Sequence, residues 1–266
     1  MADPTRRDAD VRPRRVFITG ASSGIGDALA RHYAAAGACV GLLGRRREAL
    51  EALAAELPGE SMVLVADVSD ARALRDAAAQ FVERFGLPDV VIASAGVSAG
   101  TLTEHEEDGD VFARILDINV LGMVNTFRPF ILPMRRAGAG SLVGIASVAG
   151  VRGLPGAGAY SASKAAAQRY LESLRVELHG SGVRVVTLSP GYIDTPMTRI
   201  NPYPMPFLMP ADDAARRMAL AIARGRRHVV VPWQMGVVAR VLGWMPGWFY
   251  DRVFARAGRK PRGLPL

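Results

Sequence analysis

Short runs of β-branched and aliphatic residues alternate along the chain with longer segments in which Ala and Leu recur at helical spacing among Arg and Glu. The runs predict strands at Arg15–Thr19, Cys39–Leu43, Ser61–Ala66, Val90–Ala93, Ser141–Ala146, Val183–Leu188 and His228–Val231. The segments between them predict helices over Gly24–Ala36, Arg46–Leu57, Ala71–Phe85, Gly109–Arg136, Gly158–Gly180 and Ala211–Arg224. Several of these close on glycine (Gly37, Gly86, Gly180, Gly225), which takes the left-handed residue after a helix without a Cβ penalty. Strand–helix alternation implies right-handed crossovers and a parallel sheet covered on both faces. The expected fold is a doubly wound α/β domain of about seven strands.

Two regions break the rhythm. Asn201–Pro210 holds four prolines among apolar residues, too many for a helix or a central strand. Beyond Pro232 the chain turns aromatic, with Trp233, Trp244, Trp248, Phe249, Tyr250 and Phe254. The expected organisation is a flexible basic tail over 1–13, a main α/β domain over 14–232 with a proline-rich loop at about 192–210, and an aromatic, helical extension over 233–266.

Bulk composition narrows the class. With 266 residues and 50% hydrophobic content the chain can bury a sizeable core. Its single cysteine, Cys39, lies in an apolar run and reads as a small core residue; the lack of a cysteine framework suits a reducing cytoplasm. The N-terminus has no apolar h-region, and no stretch approaches the roughly 20 apolar residues of a spanning helix, so a soluble, cytoplasmic protein is expected. The net charge of +8 is almost all arginine, because Lys164 and Lys260 are the only lysines. The arginines cluster at the two ends and no nucleic-acid-binding module accompanies them, so they read as solvated tails and not as a nucleic-acid surface. No metal-ligating cluster is expected.

The first predicted strand runs straight into Gly20-Ala21-Ser22-Ser23-Gly24-Ile25-Gly26 and then a helix. Glycines there permit a tight turn and close backbone approach to a pyrophosphate resting on the helix N-terminus, and Ser22 and Ser23 add hydroxyl donors. At the end of the second strand, where an NAD enzyme usually places a carboxylate for the ribose 2′-OH, the chain reads Gly44-Arg45-Arg46-Arg47. A guanidinium can grip a 2′-phosphate that a carboxylate would repel, so Arg45 first, then Arg46, point to NADP(H) over NAD(H). Asp67, after the third strand, is placed to accept from the adenine amino group; as a helix N-cap Asp70 is the better candidate.

Tyr160 and Lys164 stand four apart near a helix start and so share a face. A phenol titrates near pH ~10, and a neighbouring ammonium together with oxidised nicotinamide would stabilise its phenolate. Ser147 ends the preceding strand at the sheet edge where ligands bind, and Asn119 is a poor helix former inside a helical segment, able to hold a water or break the ladder.

The ordered set Thr19-Gly20-Ala21-Ser22-Ser23-Gly24-Ile25-Gly26, Asp67-Val68, Ala95-Gly96, Asn119, Ser147, Tyr160, Lys164 and Pro190-Gly191 resembles the short-chain dehydrogenase/reductase family over about residues 14–232. The resemblance implies a single Rossmann-type domain and a catalytic tetrad of Asn119, Ser147, Tyr160 and Lys164. In it Tyr160 is the acid in reduction and the base in oxidation, Ser147 holds the substrate oxygen, Lys164 tunes Tyr160 and bonds the nicotinamide ribose, and Asn119 supports a relay water. It further implies cofactor contacts from Val68, Ala95, Gly96, Pro190 and Gly191, with Ile193 and Thr195 facing the carboxamide. One departure stands out: the family often has Asn-Asn-Ala-Gly after the fourth strand, and this chain has Ala93-Ser94-Ala95-Gly96, so a brace of the sheet edge is lost or passes to Ser94.

The expected activity is reduction of a ketone or aldehyde, or the reverse oxidation. A catalytically silent NADPH-binding sensor or scaffold, and a nicotinamide-dependent epimerase or dehydratase, are the alternatives. Ser147, Tyr160, Tyr192, Tyr203 and Phe207 are the expected substrate contacts, and Met205, Leu208 and Met209 add an apolar wall suited to a medium-sized hydrophobic carbonyl or alcohol. Packing of the loop on the body would explain the same residues. For the aromatic tail three readings compete; packing over the cleft or a subunit contact is favoured over peripheral membrane binding. A homodimer or homotetramer is expected, since the long helices around Asn119 and Tyr160 carry the family's usual subunit face.

Overall fold

The computed structural model describes residues 14–264, so the tail expected over 1–13 lies outside it. Strand β1 (Arg15–Thr19) shows how the layers arise. Successive side chains point to opposite faces, and Val16 and Ile18 enter one hydrophobic core while Phe17 enters the other. In chain order β2 (Cys39–Gly44), β3 (Ser61–Val65), β4 (Val90–Ala93), β5 (Ser141–Ile145) and β6 (Arg184–Pro190) follow. Next come two short strands that pair with each other, β7 (Ile193–Asp194) and β8 (Met209–Pro210), and then β9 (His228–Val231). The main sheet is parallel throughout, seven-stranded, in the order β3-β2-β1-β4-β5-β6-β9.

The helices are α1 (Gly24–Ala35), α2 (Arg47–Glu56), α3 (Ala71–Phe85), α4 (Asp108–Leu116), α5 (Gly122–Ala137), α6 (Gly158–Glu177), α7 (Pro196–Arg199), α8 (Ala211–Ala223), α9 (Trp233–Trp244) and α10 (Gly247–Phe254). Buried residues of α1, α2 and α8 cover the Val16/Ile18 face, and those of α3, α5 and α6 cover the Phe17 face. There Phe17 meets the ring of Phe81 edge-on at 5.4 Å and that of Phe130 at 5.0 Å, tying α3 and α5 to the sheet. Asp70 caps α3 as expected, accepting from the N–H groups of Arg72 and Ala73.

The single helix expected over Gly109–Arg136 is α4 and α5 joined by a π-helical turn at Asp117–Leu121. By length and composition alone the run Asp108–Ala137 could cross a membrane, which the sequence reading did not anticipate. Here it is a core helix, with Met123, Phe127, Phe130 and Met134 buried in the second core.

Strand order reverses between β1 and β4, and at this switch point the loops leaving the two strands touch. A Cβ on Gly20, whose φ is +70°, would stand 2.7 Å from the Cα of Ala95. Open α/β sheets bind ligands in the crevice outside such a reversal. The tail closes one side of it. Met235 and Ala239 of α9 pack on Val148 and Tyr192, and the Tyr250 hydroxyl donates to the Gly153 carbonyl at 2.6 Å. The chain then returns over the Gly100 region: the Gly100 N–H donates to the Pro261 carbonyl at 2.8 Å, and Arg262 pairs with Asp108 at 2.7 Å and Glu107 at 2.9 Å.

Candidate active site

The crevice is an elongated cleft of about 560 Å³. Its floor begins at the loop after β1. Ser23 precedes α1 without a side-chain cap, so the first N–H groups of that helix keep no intrahelical partner, and Gly24 and Ile25 line the cleft. Orphan donors plus the helix dipole suit an anion. Gly26 lies behind the lining, where a Cβ would fall 2.2 Å from the Gly20 carbonyl oxygen, so its role is to let the loop fold on itself.

At the end of β2, Arg45 and Arg46 both line the cleft. Arg46 reaches back to the loop, donating to the Ser22 carbonyl at 2.9 Å and its hydroxyl at 3.1 Å. Arg45 approaches Asp67 at 3.8 Å. Asp67 also accepts from the Ser69 N–H and hydroxyl and from Arg114 at 2.7 Å. Burial by itself would raise its carboxyl, but these donors outweigh burial and hold it below the ordinary value. The cleft carboxylate is therefore already engaged by cations.

Deeper in, Ser147, Tyr160 and Lys164 come together. Ser147 lies two residues past β5 and starts a 3₁₀ turn, its hydroxyl accepting from the Ala149 N–H at 3.1 Å and donating to the Pro190 carbonyl at 3.4 Å, with the Tyr160 phenol beside it. Lys164, one helical turn beyond Tyr160, is buried; its ammonium donates to the Ile145 carbonyl at 2.9 Å and lies 5.7 Å from the phenol ring centroid. Burial pulls Lys164 down to about 8. Burial also pushes Tyr160 up, and the neighbouring Ser147 hydroxyl offsets only part of that.

Asn119 sits in the π turn and does not line the cleft. Its side-chain oxygen accepts from the Val97 N–H at 2.8 Å, and its amide donates to the Val97 carbonyl at 3.0 Å and the Ser163 hydroxyl at 2.9 Å. Ser163 in turn donates to the Tyr160 carbonyl at 2.7 Å. The ladder break expected at Asn119 is real, and its physical reason is this anchoring of a mid-helix side chain to another segment. The amide has no hydrogen left for a water, so a water held here would meet this side chain only through its oxygen.

Gly20, Ser22, Ser23, Gly24, Ile25, Val68, Ala95, Gly96, Pro190, Gly191, Ile193 and Thr195 all line the same cleft. Thr195 is held by a reciprocal capping box with Thr198 at the start of α7. Ser94 lines the cleft without bracing the sheet edge; Thr19 makes that link, accepting from the Ala95 N–H at 3.5 Å. Three residues escaped the sequence reading. Ser163 was visible inside the Tyr160–Lys164 stretch. Gln168, four residues past Lys164, donates to the Ser147 carbonyl at 2.7 Å. Arg114 had no local signal, because its partners Asp67 and Ser69 lie in a distant loop.

The substrate side is mixed. Tyr192 is half-buried beside Val148 and Met235, and Tyr203 packs over Gly258. Burial, helped by the neighbouring phenols of Tyr192 and Tyr160, pushes Tyr203 up to about 12. Phe207 stands apart: it is 51% exposed, has φ 60°, and is not among the cleft lining. The backbone turns at Phe207 and carries its ring outward; like Tyr192 and Tyr203, it does not line the cleft itself. Met209 is buried in the first core, as the packing alternative required.

The family model for short chain dehydrogenases matches residues 14–202. The chain belongs to this family. It is 38% identical over 251 residues to an uncharacterised oxidoreductase of Myxococcus xanthus, covering 93% of this chain and 99% of the relative. It is 37% identical over 198 residues to mouse dehydrogenase/reductase SDR family member 7B, covering 71% of this chain and 61% of that longer protein. Among solved structures it resembles an alcohol dehydrogenase from Thermococcus sibiricus complexed with 5-hydroxy-NADP, with TM-score 0.71, 29% identity, and coverage of 82% and 95% of the two chains. This short-chain dehydrogenase is an oxidoreductase acting on a CH–OH or C=O group, and its fold binds a nicotinamide cofactor.

Proposed function

We propose that this enzyme is an NADP(H)-dependent reductase of ketones or aldehydes on medium-sized hydrophobic compounds, acting in the cytoplasm. The observation that carries the reading is the convergence of the Tyr160 phenol, the Ser147 hydroxyl and the Lys164 ammonium, 5.7 Å from the phenol ring centroid, in the same cleft as the uncapped helix N-terminus. The residues suit the cofactor: the α1 N-terminus and Ser22 for the pyrophosphate, Arg45 and Arg46 for a 2′-phosphate, Asp67 for the adenine, and Lys164 and Tyr160 for the nicotinamide ribose. When bound, the nicotinamide supplies or accepts the hydride and, when oxidised, adds positive charge near the phenol.

The chain's own groups do the rest. Ser147 donates to the substrate oxygen and stabilises charge developing there. Tyr160 delivers a proton to that oxygen in reduction and removes it in oxidation. Lys164 supplies the local positive charge, and Asn119 fixes the start of α6 through Ser163 and the Tyr160 carbonyl. Tyr192 and Tyr203 give an apolar wall with polar tips for the substrate. Homo-oligomerisation is supported by Leu121, Leu132 and Val176, exposed by 55%, 52% and 63% along the two long helical runs.

Offered NADPH or NADH with a panel of aldehydes and ketones, the enzyme is expected to consume NADPH faster and to prefer aromatic or alicyclic ketones, followed by nicotinamide absorbance. A clear NADH preference, or turnover confined to small polar aldehydes, would contradict the reading. The same assay run across pH tests Lys164. Its ammonium is charged below its value of about 8 and neutral above. Reductive kcat/KM is therefore expected to fall as pH rises through about 8; a flat profile to pH 9 would mean that the charge is not needed.

A further inference from the structure

All three tryptophans of the chain, Trp233, Trp244 and Trp248, lie in α9 and α10, and they are 65%, 80% and 73% exposed. On α9 the inward side carries Met235 and Ala239, buried against Val148. The outward side carries Trp233, Val237, Val241 and Trp244, each more than half exposed and spaced as one helical stripe. Past the break at Pro246, α10 adds Trp248, Phe249 and Val253, while Tyr250 is held beneath by Gly153 and by the guanidinium of Arg152 over its ring. Tyr250 thus packs on the body of the domain, whereas the three tryptophans and Phe249 face away from it.

The charges around this face name its occupant. α9 contains no acidic residue and α10 only Asp251, whereas Arg240 and Arg252 are exposed on the same two helices and Arg256 is exposed just past α10. A second copy docked by a two-fold axis would set this patch against itself and bring the arginines together. Exposed tryptophans with arginines at their margins suit a bilayer interface, where indole rings sit at headgroup level and anionic lipids neutralise the cations. We propose that the α9–α10 face docks peripherally into the interface of an anionic membrane. Through Met235, α9 also packs on Gly191 of the cleft lining, so the docking face is carried by an element that borders the cleft. This docking stands independently of the cofactor and substrate assigned above.

The tryptophans supply the probe. Full-length protein is mixed with vesicles of phosphatidylcholine alone or with phosphatidylglycerol, and tryptophan emission and co-sedimentation are followed. Emission is expected to shift to the blue, and protein to pellet, with phosphatidylglycerol vesicles; binding should weaken as salt rises. The Trp244→Ser/Trp248→Ser double variant, which removes two outward side chains, should lose affinity by about tenfold or more with its melting temperature unchanged. No shift and no pelleting with either vesicle would overturn the proposal. Equal binding to neutral vesicles would overturn the role given to the arginines. Lipid-free emission that moves to the blue with protein concentration, together with a dimer that the double variant abolishes, would assign the face to a second copy instead. None of these readouts requires turnover, so failure here leaves the reductase reading untouched.

Discussion

Tyr160→Phe is expected to lower kcat for carbonyl reduction by about 10²- to 10⁴-fold while changing NADPH affinity only a few-fold. The ring survives in the variant, so its packing in the first turn of α6 is kept. What disappears is the hydroxyl beside Ser147, and with it the only candidate proton donor at the inner end of the cleft among the described residues other than Ser147 and Lys164. Serine cannot replace it, because its hydroxyl is far too weak an acid. Steady-state rates from nicotinamide absorbance, set beside cofactor binding by fluorescence titration, separate the two effects. A variant retaining more than roughly a tenth of wild-type kcat would remove Tyr160 from the chemistry.

The second large effect concerns cofactor choice. Arg45→Ala is expected to raise KM for NADPH by about 10- to 100-fold and to leave KM for NADH nearly unchanged, since a charge-assisted bond to a 2′-phosphate is worth about 1.5–3 kcal/mol. Arg46→Ala should behave differently. Arg46 also donates to the carbonyl and hydroxyl of Ser22, so its loss loosens the phosphate loop and raises KM for both cofactors. The ratio of the two KM values, measured for each variant, distinguishes recognition from support. If Arg45→Ala weakens both cofactors equally, the 2′-phosphate contact belongs elsewhere.

The layers were legible because each central strand is a short apolar run and each helix repeats its apolar face, the pattern of a parallel sheet covered by helices. The cleft was legible where one stretch of chain carries the chemistry, as in Gly20–Gly26 or Tyr160–Lys164. It was less so where function is shared between distant segments. Asn119 was visibly misplaced in a helix, but its anchors, Val97 and Ser163, are set by tertiary folding. Gln168 stood one turn past Lys164, yet the carbonyl it holds belongs to Ser147 on another element. Phe207 looked like a substrate wall because an aromatic in a proline-rich loop is ambiguous until its backbone angle is known. The tail was ambiguous for a related reason. An apolar helical stripe has the same spacing whether it faces a core or solvent, and burial of Met235 and Ala239 on the opposite side settles which way it turns.

The contact between Gly20 and Ala95 has a thermodynamic side. The two segments are far apart in sequence and meet only once β1 and β4 are paired, so the unfolded chain has no cofactor site to offer. A ligand that binds only the folded state stabilises it by RT ln(1 + [L]/Kd), about 2.7 kcal/mol at a hundredfold excess over Kd. The cell's nicotinamide pool then acts on how long the protein lasts as well as on its turnover. Molecules left without cofactor open more often, and they are the ones that proteases remove first.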